Sequence, residues 1–150
     1  MPAYLIVMDE TEEARAALRF AARRAARTGA AVEIVALIAP QDFVQWGAVQ
    51  AAMEEEARLR AEAMVLQASG AIIEEAGIRP SITVKQGDPV REVTDVLKSR
   101  DDIAALVLGA ATEGGPGPLV MHFASAASTL PCPLMIVPGN LSDETLDRLT

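Results

Sequence analysis

The chain is 150 residues long, 51% hydrophobic and 23% charged, with a formal net charge of −8. Such a length suits one domain that buries roughly 70% of the surface its unfolded chain exposes, and the apolar content excludes an intrinsically disordered chain. No apolar run approaches the roughly 20 residues that span a bilayer, the acidic balance argues against nucleic acid as a partner, and the lone Cys132 excludes an intrachain disulfide.

The opening residues Met1 to Met8 carry neither a basic n-region nor a small-residue cleavage site, so a mature cytoplasmic protein without a membrane partner is expected. Ala3 to Met8 is a strand-length apolar run. From Thr11 to Thr28, Ala14, Ala17, Leu18, Ala21 and Ala25 recur at helical spacing, and Gly29 ends the helix. Val32 to Ala39 reads as a second strand closed by Pro40, and residues 41 to 48 as a loop. A long helix from about Val49 to Ala76 carries an apolar stripe through Val49, Met53, Ala57, Ala61, Met64, Ala68 and Ile72. Glu54–Arg58 and Glu56–Arg60 stand at i,i+4 on its outer face.

Ser81 to Gln86 is a third strand. Asp88 then suits an N-cap and Pro89 the first helical position, of a helix reaching about Ser99. Ile103 to Leu108 is continuously apolar, the signature of a strand buried on both faces. The Gly/Pro-rich stretch Gly109 to Pro118 leads to a helix from about Leu119 to Thr129, and Leu134 to Val137 is the fifth strand. Ser142 can cap one or two further turns. Alternating strands and helices of this kind predict an α/β fold: a parallel, doubly wound sheet of five strands with helices on both faces. Residues 1–138 make the domain and 139–150 a tail that belongs to it.

In such sheets ligands sit beyond the carboxyl ends of the strands. The loop after strand four is the most unusual there, because Gly114, Gly115 and Gly117 could supply a backbone cradle for phosphate. A surface turn requires the same residues.

Four segments carry a resemblance: the strand ending Val7-Met8-Asp9-Glu10-Thr11, then Gly87-Asp88-Pro89, then Leu106-Val107-Leu108-Gly109, and last Leu130-Pro131-Cys132-Pro133 before Leu134-Met135-Ile136-Val137. In order and spacing the chain resembles the universal stress proteins over nearly its whole length. The resemblance implies the strand order 3-2-1-4-5, an adenine contact at Asp9, an apolar adenine flank at Leu37 and close backbone approach at Gly109. It also implies a homodimer, placed here through the fifth strand and the tail.

ATP-binding members of that family carry Gly-x-x-Gly-x9-Gly-Ser/Thr after strand four. Counted from Gly109, those positions fall on Thr112, His122 and Phe123; counted back from Pro133, Val120 and Met121 replace Gly-Ser. The motif is broken either way. Pro116 and Pro118 lack an N–H, Glu113 lies in the loop, and no Lys or Arg occurs between Asp101 and Asp147. Expected, therefore, is a non-catalytic stress-response module with a degenerate adenine-nucleotide pocket, accepting at most AMP or adenosine. The alternative is an ATP-binding member whose Gly/Pro loop replaces the motif. An enzyme is not expected, since no base, nucleophile and electrostatic stabiliser converge.

Asp9 also fits a helix N-cap, with Glu12 three residues on. His122 lacks nearby ligand partners for a metal, Cys132 reads as a small inert hydrophobe, and Ser125, Ser128 and Thr129 as solvated or capping hydroxyls. Trp46 suits a pocket mouth, a dimer contact or a loop anchored to the core. Arg15, Arg19, Arg23 and Arg27 form an i,i+4 basic stripe whose mutual repulsion calls for acidic partners on a neighbouring helix or for an anionic ligand.

Overall fold

The structure, a computed structural model, describes residues 1–38 and 47–150. Its elements are β1 (Ala3–Met8), α1 (Glu12–Thr28), β2 (Ala31–Ile38), α2 (Gly47–Ala76), β3 (Ser81–Gln86) and α3 (Pro89–Ser99). There follow β4 (Ile103–Ala110), α4 (Pro118–Ser125), a 3-10 turn (Ala127–Thr129), β5 (Leu134–Pro138) and α5 (Asp143–Leu149). All strand pairings are parallel and the order is β3-β2-β1-β4-β5, as expected. No helix among the described residues is long and apolar enough to cross a membrane.

Strand alternation sorts the core into two layers. Ile6, Met8, Val32, Ile34, Val107 and Val137 face α1 and α2. Leu5, Val7, Val35, Leu106 and Leu108 face the other way, against Val93 and Leu97 of α3 and Phe123 of α4. Each large side chain fully buried this way contributes about 1.5–3 kcal/mol. The buried face of α1 is mostly alanine (Ala14, Ala17, Ala21, Ala25), which lets that helix lie close on the sheet.

Three expectations need correction. The α2 stripe is buried only at Ala57, Ala61 and Ile72, joined by Val65 and Ser69; Val49 and Met53 are exposed. A helix of 30 residues is about 45 Å long, whereas strands of six to eight residues span only about 20–27 Å, so the two ends cannot both be covered. On the same helix Arg58 also meets Glu62, one turn on, at 3.3 Å. Gly109 belongs to β4, paired with Val137, and not to the following loop. The helix expected to run to Thr129 stops at Ser125, and a 3-10 turn follows in which the Thr129 hydroxyl donates to the Ala126 carbonyl. Ala39, Pro40 and Trp46 lie outside the described residues.

At the amino ends of the strands Arg100 clamps three segments. Its guanidinium meets Glu33 of β2 at 2.6 Å and both carboxylate oxygens of Asp102 at 2.9 and 2.6 Å. Hydrogen bonds from Arg100 hold the Asp102 carboxyl below its ordinary 3.8. A carboxyl depressed in the folded state stabilises the fold above the ordinary carboxylate range, and that contribution disappears as pH falls through the depressed value. Asp102→Asn should therefore flatten the acid limb of unfolding free energy against pH below about 4, measured by urea titration from pH 2.5 to 6; an unchanged limb refutes the clamp's role.

Candidate functional site

The strands present their carboxyl ends to two clefts that share Asp9. The first, about 240 Å³, is lined by Asp9 and Glu10 after β1, Leu37 and Ile38 of β2, and Ala57, Arg60, Ala61 and Met64 of α2. The second, also about 240 Å³, lies between Asp9, Thr11 and Glu13 on one side and Leu108, Gly109, Gly117 and the start of α4 on the other. Asp9 is half-buried where they meet. The structure thus brings Asp9, Leu37, Gly109 and Gly117 to one end of the sheet. Gly114 and Gly115 line neither cleft; both sit exposed at the loop tip.

Asp9 is not the helix N-cap. Thr11 is: its Oγ1 accepts from Ala14 N at 3.2 Å. The Asp9 carboxylate instead accepts from Thr11 N at 2.9 Å and from the Thr11 hydroxyl. The chain is still extended at Thr11, with ψ 154°, so the turn begins two residues later than the sequence spacing suggests. One edge of the Asp9 carboxylate is committed to this brace.

Gly109 does permit a close backbone approach, but what approaches is the protein. A Cβ there would stand 1.9 Å from the carbonyl oxygen of Glu13 in the first turn of α1. Gly139 serves the same contact: its N–H donates to Ala110 O at 2.9 Å, and an added Cβ would lie 2.7 Å from Glu13 Cβ. The first turn of α1 is therefore wedged against the ends of β4 and β5. This wedge brings Glu13 into the second cleft, a residue that the sequence reading passed over because it lies in a helix.

The loop from Ala111 to Gly117 turns on glycines at positive φ, Gly114 (71°), Gly115 (90°) and Gly117 (102°), and is closed by Ala111 N donating to Pro116 O at 3.1 Å. Only glycine adopts such angles without strain. Among the described residues no base lines the second cleft, whereas Arg60 enters the first. Arg60, expected on the outer face of α2 beside Glu56, thus borders a cleft far in sequence from the loop after β4.

The other residues weighed fall elsewhere. His122 is exposed, its ring edge-on to Phe123 at 5.0 Å. Cys132 is half-buried and burial pushes its thiol pKa up. No group of three or more His, Cys, Asp or Glu able to hold a metal occurs among the described residues. Arg19 and Arg23 of the basic stripe meet Asp143 and Asp147 of α5.

A family model described as the universal stress protein family matches residues 4–138. The chain belongs to that family. Among solved structures, universal stress protein UspA from Lactobacillus plantarum is similar with a TM-score of 0.76 and 17% identity, over 91% of this chain and 97% of that one. The universal stress protein from Archaeoglobus fulgidus in complex with dAMP gives 0.61 and 18%, over 91% and 97%. A family protein from Arabidopsis thaliana with AMP bound gives 0.60 and 16%, over 97% and 95%. These likenesses show the fold. No curated protein matches the chain. The α5 tail lies beyond the residues matched to the universal stress protein family.

Proposed function

We propose that this universal stress protein acts in the stress response by binding and not by turnover, and that its Asp9 site accepts AMP in preference to ATP. The observation that carries the reading is the acidic second cleft: Asp9 and Glu13 line it, and no base does among the described residues. Each additional phosphate charge placed about 4 Å from such a carboxylate costs about 1 kcal/mol in water and about 4 at the rim of a protein. AMP sets its adenine by Leu37 and carries a single phosphate, for which Arg60 offers countercharge. The relatives crystallised with dAMP and AMP support a mononucleotide.

Calorimetric titration tests this. AMP should bind saturably, ATP-magnesium at least tenfold more weakly, and Asp9→Ala should lower AMP affinity about tenfold, the effect of removing a hydrogen bond to a charged group. ATP-magnesium binding as tightly as AMP overturns the reading. It would favour the second one, a phosphate cradle in the Gly114–Gly117 loop, for which the run of positive φ angles speaks. Sustained phosphate release from ATP would revive an enzyme.

We also propose a cytoplasmic homodimer through the β5 edge and the tail. Ile136, at 43% exposure on that edge, and Leu149 on α5, at 51%, are apolar surface that pairing would cover. Ile136→Glu should convert the dimer to a monomer in sedimentation equilibrium; an unchanged mass for the variant, or a monomeric parent protein, removes this interface.

A further inference from the structure

A third concavity, about 270 Å³, runs between α1 and α2 on the helical face and meets the first Asp9 cleft at Met64, which lines both. It exists because α2 offers small side chains, Ala68 and Ala71, where it passes α1. Met8, Leu18, Met64 and Ile72 add apolar lining, and the exposed Gln67 is the one uncharged polar residue along it. Arg15 and Arg19 stand at its rim, and they differ. Arg19 is engaged by Asp143 of α5. Arg15 is exposed and makes no ion pair or hydrogen bond with any described residue. Along the groove the arginine stripe is thus paired with α5 at Arg19 and left unpaired at Arg15, in a chain of net charge −8.

We infer that this groove binds a free amphiphilic monoanion, an unbranched medium-chain carboxylate whose alkyl tail lies on the Met64–Ile72 floor and whose head group pairs with Arg15. An apolar trough alone would take a neutral chain equally well; the unneutralised guanidinium at its edge selects the acid. Binding does not require Asp9, which does not line the groove, although Met64 lines both the groove and the first cleft.

The test uses the full chain with 13C-methyl methionine and decanoate below its critical micelle concentration, with decanol and decylamine as controls. The Met64 and Met8 methyl signals should shift saturably with decanoate, while Met121, exposed at 62% on α4, should not. Arg15→Gln should weaken decanoate about fivefold, the scale of a solvent-accessible charge pair, and leave decanol unchanged. Ala71→Leu, which fills the trough from an exposed helix position, should abolish both responses with the melting temperature retained. Asp9→Ala should leave them intact. Equal affinity for decanoate and decylamine, an unaffected Arg15→Gln, or a parallel shift at Met121 would each overturn the site in favour of unspecific adsorption. Saturation only with anionic vesicles and not with free decanoate would do so too, in favour of a membrane surface.

Discussion

Gly109→Ala is expected to destabilise the protein by about 3 kcal/mol or more, at the upper end of what overpacking costs. The Cβ would meet the Glu13 carbonyl oxygen at 1.9 Å and its carbon at 2.4 Å, backbone atoms that no rotamer change can move. Relief requires the whole first turn of α1 to lift, and that turn holds the Thr11 cap and the buried Ala14. Gly115→Ala is the matched control. Its φ of +90° penalises alanine, but nothing lies within 4 Å, so about 1 kcal/mol is expected. Urea denaturation of the two variants measures the difference. A loss at Gly109 no greater than at Gly115 would mean that α1 is not seated on β4 as described.

Leu146→Ala is expected to cost about 3 kcal/mol, within the range for emptying a fully buried leucine site. Leu146 is 0% exposed although α5 is only seven residues long, too short to persist as an isolated helix. Its order comes from docking: Leu146 inserts, Asp143 and Asp147 meet Arg19 and Arg23, and Ser142 caps Thr145 N at 3.2 Å. The charged contacts are exposed and each contributes about 0–1 kcal/mol, so the leucine decides. Amide exchange locates the effect: the Leu146→Ala chain should lose protection in α5 first, and a global loss without that order would assign the tail a different role.

How far these features were legible follows from their physical origin. β1, β3 and α3 are encoded locally, by an apolar run in β1, by Ile82 and Val84 alternating with polar residues in β3 and by the Asp88-Pro89 start, and they lie where the sequence puts them. The sheet order followed from the family resemblance. The Asp9 site was legible in its parts but not in its assembly. Asp9, Leu37 and Gly109 do converge, yet the close approach inferred at Gly109 belongs to Glu13, a contact between positions 96 apart in sequence that no local pattern encodes. Gly139 was invisible for the same reason. Arg60 and Glu13, which set the charge of the two clefts, sit on helices whose azimuth depends on packing. Arg19 and Arg23 of the arginine stripe have the acidic partners expected on a neighbouring helix, whereas Arg15 has none among the described residues; that α5 supplies them depends on the fold-back of the tail, which no local pattern encodes.

The β5 edge has a consequence for how many chains can join there. Pro133 and Pro138 bracket Leu134–Val137, and proline offers no N–H to a ladder. A foreign strand can zip along four residues before meeting a stop at either side. Edge apolarity of this kind usually invites open-ended stacking, but a register this short cannot slide or extend. At the far edge β3 shows a different gatekeeper: Ser81, Thr83, Lys85 and Gln86 make its rim polar. The homodimer proposed above would thus take one partner at the β5 margin without seeding a fibre.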